Sequence, residues 1–388
     1  MSEHSRPDSG YAGFEQGPIR PPSEAASLLL RVTRNCPWNR CSFCPVYKGE
    51  QFSLRPVDHV LRDIDSVHRY VTALRERMDL SGPIDYRQLS QLADGLSDGE
   101  QLALYAARAW LDDGMQSIFL QDANSLVIKP DELATILRHI RELFPEVERI
   151  TSYARSQTID RISAEQMGQL AEAGLNRIHI GMESGSDAVL EKVQKGCDRQ
   201  MHIRAGQKVK AAGMELSEYV MPGLGGRALS REHALQTADA LNRIDADFIR
   251  LRSLAIPNHT ELFSEWQEGQ FDKLGDREVA EEILLFLDSL GGIHSRVQSD
   301  HILNLFQEIE GHLPQDQPLM TGVIRRFLAL PEEEQLVYQV GRRMGLFARL
   351  EDLQHGMRRR RAERAIEQYG VTPENVDQVI DELMKRFI

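Results

Sequence analysis

Three cysteines fall within nine residues, in the run Thr33-Arg34-Asn35-Cys36-Pro37-Trp38-Asn39-Arg40-Cys41-Ser42-Phe43-Cys44-Pro45. Their spacing is C-x4-C-x2-C, and the fourth cysteine, Cys197, lies about 150 residues further on. Such clustering in a chain without a disulfide pattern points to metal or redox chemistry. Structural zinc wants four closed ligands, commonly as two pairs, and the sequence has no second pair. His59 and His68 follow a predicted helix start and are expected on the surface. Three thiolates in one loop suit a 4Fe–4S cube, which is normally held by four. With three, one iron is left open to a small molecule binding through nitrogen and oxygen. The competing reading is three structural cysteines in a buried turn.

Composition narrows the setting. The chain has 388 residues, 41% hydrophobic and 27% charged, which is globular and leaves room for a large core. Its net charge of −13 does not favour a broad phosphate-binding surface, so no nucleic-acid partner is expected. No apolar run approaches the ~18 residues of a membrane span. The polar start (Glu3, Arg6, Asp8, Gly10) lacks the apolar stretch of a signal peptide, and a cytoplasmic location is expected. There the thiols stay reduced.

The cysteines need a scaffold, and the chain supplies a repeating one. Residues 1–24, rich in Gly, Pro, Ser and charge, are predicted to be a disordered leader. Strands are predicted at Ser27–Thr33, Ser117–Leu120, Arg149–Tyr153, Arg177–Gly181, Glu215–Met221 and Phe248–Leu254. Amphipathic helices are predicted at Asp131–Phe144, Ala164–Ala173, Gln200–Ala212 and Arg231–Ile244. After the first strand the starts are about 30 residues apart, the size of a βα unit. Six units give an α/β fold, a partial (β/α)6 barrel over residues 25–310, in which reactive residues belong at the C-terminal strand ends. Residues 69–110 exceed one connection and suggest a helical insertion, with helices around Leu89 and Leu104. Residues 311–388 are predicted to be a helical extension, with helices over Leu319–Leu330, Glu332–Met344 and Pro373–Phe387. The run Arg358-Arg359-Arg360-Arg361 is expected to be a solvated helix face.

The cysteine loop after a first apolar strand, with Phe43 just before the third cysteine, resembles the radical S-adenosylmethionine (radical SAM) superfamily. The resemblance covers roughly residues 25–300 and independently implies the partial barrel. It implies that Cys36, Cys41 and Cys44 hold a 4Fe–4S cluster, that SAM chelates the fourth iron, and that Phe43 lies against the adenine. The family's commonest spacing is C-x3-C-x2-C, one residue shorter than here, which leaves the subfamily unassigned. The resemblance also implies an external reductant such as flavodoxin or ferredoxin.

Other strand ends carry further candidates. Many relatives have a Gly-Gly-Glu turn after the second strand, accepting the SAM ammonium; here Gln121-Asp122-Ala123-Asn124 stands there, and Asp122 and Asn124 could serve. An Asx turn is the competing reading of Asn124. The third strand could aim Ser152 or Arg155 inward. The fourth ends in Gly181-Met182-Glu183-Ser184-Gly185-Ser186, resembling the ribose-binding stretch of radical SAM enzymes of the HemN and methylthiotransferase type, with Glu183 as the diol acceptor. Against it stands a bland reading, in which Ser186 caps a helix and Glu183 balances Arg177. Arg199 aligns with the arginine that pairs the SAM carboxylate in those relatives, an arginine fork being suited to a carboxylate. Cys197 is a weaker candidate for a catalytic or ligand role. Arg252, the Pro257–Thr260 run and the polar positions from His294 to Asn304 face the substrate if their strands line the barrel.

The implied function is reductive cleavage of SAM to a 5′-deoxyadenosyl radical that takes hydrogen from an unidentified substrate. The alternatives are an oxygen-independent coproporphyrinogen oxidase-like enzyme and a non-catalytic zinc or iron–sulfur module. The oligomeric state is open.

Overall fold

The computed structural model describes residues 10–384. The strands are β1 (Leu28–Arg31), β2 (Thr33–Arg34), β3 (Ser53–Leu54), β4 (Ser117–Gln121), β5 (Arg149–Ala154), β6 (Arg177–Glu183), β7 (Glu215–Val220), β8 (Phe248–Leu251), β9 (Arg296–Gln298) and β10 (Glu310–His312). β2 and β3 form a small antiparallel ribbon. The other eight make one sheet in the order β1-β4-β5-β6-β7-β8-β9-β10. Neighbours are parallel from β1 to β9, and only β10 runs antiparallel, on β9. All six predicted strands are present in chain order, within one to three residues at most ends. The six-unit expectation is short by β9, which falls within the His294–Asn304 run of polar residues at strand spacing, and by β10, three residues too brief to carry a periodicity signal.

Parallel partners share a face, and the two faces differ in chemistry. One carries Leu28, Ile118, Ile150, Ile178, Leu216 and Ile249, all in the main apolar cluster beneath the helices. The other carries Arg31, Phe119, Tyr153, His179, Tyr219 and Arg250. Rings two strands apart on this face come to 6.3 Å (Phe119–His179) and 6.4 Å (Tyr153–Tyr219) between centroids. Strands two apart in a flat sheet are separated by about 10 Å, so this wall is concave. β1 and β10 are the two ends of the sheet and do not pair, which leaves the barrel open.

The insertion consists of helices Val57–Ser81, Tyr86–Ala93 and Asp98–Asp112. The second begins at a reciprocal cap, in which Gln88 N–H donates to Asp85 and Asp85 N–H to Gln88 (2.8 and 3.0 Å). The C-terminal region is helical as expected, with Gln317–Leu328, Glu332–Arg343, Gly356–Tyr369 and Val376–Met384. Gly356–Tyr369 contains the arginine run, expected on a solvated helix face, although the sequence sets no bounds for that helix. The end of the predicted Pro373–Phe387 helix lies outside the described residues. No helix among them is long and apolar enough to cross a membrane.

Residues 10–24, expected to belong to a disordered leader, are built into the barrel; residues 1–9 lie outside the described residues. Phe14 is buried, Glu15 accepts from Arg34 Nε (2.9 Å), and Gln121 exchanges hydrogen bonds with Gly17 and Ile19. At the far end of this strap Glu24, fully buried, meets His179 (3.3 Å), Ser27 (2.6 Å) and Arg149 (3.3 Å). Burial opposes its charge, but these donors win and hold its carboxyl down to about 2. The strap is held by side chains and carries little apolar pattern, which is why its composition suggested disorder.

Candidate active site at the barrel mouth

The cysteine loop follows β2, at the C-terminal ends of the strands. Cys36, Cys41 and Cys44 are all free thiols. Asn39 N–H points to Cys36 Sγ at 3.4 Å. Cys41 and Phe43 pack in an apolar pocket with Val189, Val193, Met221, Leu254 and Leu262. Backbone bonds Ser42 N–H to Val193 O and Leu262 N–H to Ser42 O (both 3.0 Å) stitch the loop to its neighbours. Burial raises the Cys44 thiol, and its neighbours Cys41 and Cys36 raise it further. The three thiols thus share one half-buried loop. Among the described residues no group of three His, Cys, Asp or Glu is gathered tightly enough for a single ion. A cube, with one thiolate per iron, needs its ligands spread around its body, and the donor set here is all sulfur. A donor set of three sulfurs is the kind that a 4Fe–4S cluster takes.

At the end of β4, Asp122 is fully buried and its carboxylate is engaged by the chain itself. It accepts from Arg31 Nη2 (2.9 Å) and Nε (3.1 Å), from Asn35 N–H (3.1 Å) and from the Tyr47 hydroxyl. Asp122 therefore pins both ends of the cysteine loop to β4. Asn124 bridges strand ends, donating to Thr158 Oγ1 (2.8 Å) and accepting from Arg155 N–H (3.1 Å). Ser152 is placed away from the mouth. It pairs in register with Leu120 and Ile178, on the helix side, and bonds Tyr153 O (3.0 Å). Tyr153, one residue on, takes the inward position, because successive strand residues alternate in face.

The end of β6 holds the tightest constellation. Glu183 has φ 64° and follows a register shift between Gly181 and Glu183, which turns its side chain over the mouth. Lys195 Nζ donates to Glu183 Oε1 at 3.0 Å and lies 5.9 Å from the Phe43 ring centroid. A side chain at 181 would strike the Glu183 carboxylate and make it move, so glycine leaves room for the Glu183–Lys195 pair. Burial works against the Lys195 charge, yet Glu183 and the nearby Cys41 outweigh it and raise its pKa. The other Glu183 oxygen has no partner among the described residues. Arg155 lies over Trp38 (5.2 Å to the centroid) and bonds the Lys195 carbonyl. Arg177 pairs with Glu215 (2.6 Å), leaving Glu183 to Lys195, while Ser186 does cap the following helix, accepting from Val189 N–H (3.3 Å).

Two candidates sit elsewhere. Arg199 opens the Arg199–Ala211 helix and turns to Asp239 (3.4 Å), so its fork does not join this group. Cys197 shares a hydrogen bond with His202 Nε2 (3.2 Å), whose Nδ1 meets Ser156 Oγ (2.7 Å). Burial pushes the Cys197 thiol up to about 11, which marks a quiet, protonated thiol.

The sequence therefore brings Phe43, Glu183 and the cysteines to one mouth. It passes over Lys195, two residues before Cys197, because a lysine is ordinarily solvated. Tyr47, Arg31 and the inner Tyr153–His179–Tyr219 wall were missed for a similar reason, since only tertiary register brings them in.

Residues 98–238 match the family model described as the Radical SAM superfamily. The matched stretch holds β4 to β7 and Glu183, and begins after the cysteine loop. The chain is 26% identical to the heme chaperone HemW of Bacillus subtilis (strain 168) over 184 residues, 46% of this chain and 48% of that protein. It is 20% identical to a tRNA uridine(34) acetyltransferase of Methanocaldococcus jannaschii over 269 residues, 69% of this chain and 49% of that protein. Among solved structures it resembles coproporphyrinogen III oxidase (HemN) from Escherichia coli, at 13% identity and TM-score 0.41, covering 64% of this chain and 49% of that one. The chain thus spans about half the length of the curated relatives it matches. The open, mostly parallel α/β barrel thus contains a stretch, residues 98–238, that matches the radical SAM superfamily, with the subfamily unassigned.

Proposed function

We propose that this chain is a radical SAM enzyme in which Cys36, Cys41 and Cys44 hold a 4Fe–4S cluster and the mouth binds SAM. One observation carries the reading: Lys195 lies against both Phe43 of the cysteine loop and Glu183 of β6, so the loop and the acidic strand end border one space. When bound, the cluster supplies the electron that breaks the S–C5′ bond of SAM, releasing methionine and a 5′-deoxyadenosyl radical that takes hydrogen from substrate.

The chain's own residues bind, orient and shield. Phe43 offers its ring to the adenine. The unengaged oxygen of Glu183 accepts from the ribose hydroxyls. Lys195 and Arg155 supply the positive charge nearest the loop for the methionine carboxylate, in the place first expected of Arg199. Asp122 and Asn124 act on the protein rather than on SAM, fixing the loop and the β5 end. The electron comes from an external reductant of the flavodoxin or ferredoxin kind.

The test is an anaerobic preparation supplied with SAM and dithionite. Release of 5′-deoxyadenosine by the parent chain and none by Cys41→Ala is expected. A Cys41→Ala protein that still releases it would overturn the reading.

A further inference from the structure

The inner wall below the mouth says something about what is bound there besides the cofactor. Tyr219 pairs in register with Arg250, so Arg252 is the next residue on the same face, at the rim. Its backbone N–H is fixed to Val220 O (2.9 Å), while its guanidinium is exposed and pairs with no carboxylate among the described residues. Of the other cations, Arg155, which bonds the Lys195 carbonyl and lies over Trp38, is the one assigned above to the cofactor, and the rest are engaged by side chains. Arg250 is held by Asp300 (3.0 Å) and Ser217 (3.2 Å), Arg31 by Asp122, and Lys195 by Glu183. An uncompensated guanidinium on this side of the rim, in a chain of net charge −13, is a site for an anionic group. His301 stands beside it. Burial and the Arg252 charge push its imidazole down to about 4, so it is neutral. Its Nδ1 accepts from Leu303 N–H (3.3 Å), which leaves the proton on Nε2.

The floor carries a second, independent sign. His179 is fully buried and its Nδ1 has no partner among the described residues. Its Nε2 serves the ionised Glu24, so it carries the proton and Nδ1 is a bare lone pair. A buried acceptor left open asks for a donor from outside. The Tyr153 ring, level with His179, and the Tyr219 ring, two residues nearer the rim, are each 5.7 Å from the His179 ring.

We propose that the substrate is an elongated organic acid. Its carboxylate or phosphate sits on Arg252, its unsaturated or apolar body lies against Tyr153 and Tyr219, and a hydroxyl or amine at its far end donates to His179 Nδ1. His179 is level with Phe248 through Ser217, four residues below Arg252, which sets a span on the order of 10 Å at 3.3 Å per residue. The proposal deepens the radical SAM reading and rests on it for the claim that this occupant is the substrate.

The test is calorimetric titration of the anaerobically purified full chain with para-hydroxyphenylpropionate, para-hydroxyphenethyl phosphate and para-hydroxyphenylpropionamide. The favoured anion should bind about tenfold or more tighter than the amide, and which anion binds better identifies the acid group. Arg252→Met, its fold checked by circular dichroism, should lose that advantage and hold the amide as before. Arg252→Lys should restore part of it. Equal affinity for acid and amide, no binding of either anion, or an Arg252→Met protein that still prefers the anion would overturn the proposal. SAM cleavage by the parent chain is read separately. Cleavage without anion preference sinks the substrate class alone, and anion preference without cleavage sinks the enzymatic reading alone.

Discussion

The two faces of the same strands have been given opposite work. On the outer face Ile118, Ile150, Ile178 and Leu216 meet helices and exclude water, and each is essentially unexposed. On the inner face Phe119, Tyr153, His179 and Tyr219 form a ladder of rings with polar handles, closed below by Glu24 and above by the cysteine loop. Phe119 is as buried as any outer residue yet stands outside the main apolar cluster. Burial alone therefore does not define the core of an open barrel. The outer face provides stability through area removed from water, and the inner face gives up some of that for specific contacts.

The comparison breaks most readily at the outer face. Ile178→Ala should cost about 2–5 kcal/mol in urea unfolding, because the site is sealed and a cavity remains. Tyr153→Phe, one register position away on the inner side, should cost under about 1 kcal/mol while weakening ligand binding. Equal losses would mean that the inner wall is also a packing surface.

Asp122→Asn comes next. It removes charge from an acceptor serving Arg31, Asn35 N–H and Tyr47, at about 1.5–3 kcal/mol. It should also lower the iron retained after anaerobic reconstitution, since the loop is tied there. Unchanged iron content would show that the tie is dispensable.

A smaller effect is graded with pH. His202 is buried and its imidazole is held down to about 3 against an ordinary 6.5, first by burial and then by Lys195 and Arg155. Between those values the unfolded chain binds a proton that the folded chain refuses, so stability falls as pH drops below 6.5. The urea midpoint should decline over that range, and less so in His202→Gln. A midpoint independent of His202 would contradict the burial. Least of all, Arg361→Gln on the exposed face of the Gly356–Tyr369 helix should stay within about 0.5 kcal/mol.

What the sequence disclosed follows from the same division. The six main strands were legible because outer apolar residues recur at strand spacing and the units repeat at a steady interval. β9 lies within the His294–Asn304 run whose polar residues recur at strand spacing, whereas β10, three residues long, gave no signal. The strap over 10–24 was not legible, because Gln121 and Arg34 hold it from far along the chain. At the mouth, the cysteines and Glu183 were marked by residue type and turn context. Ser152 was chosen over Tyr153 because a one-residue step at a strand end reverses the face, and nothing local fixes that step. Arg199 was preferred to Lys195 on alignment. The Arg199–Ala211 helix sends the arginine outward to Asp239, whereas the turn before it drops the lysine, only 8% exposed, beside Glu183.

The central claim is that three sulfurs in one loop carry a cube of iron and sulfide. Iron and acid-labile sulfide, counted after anaerobic reconstitution and desalting of the full chain, test it most directly. About four of each per chain are expected, falling to none when Cys36, Cys41 and Cys44 are all replaced by alanine. A parent chain that retains no iron, or a triple variant that retains as much as the parent, would contradict it.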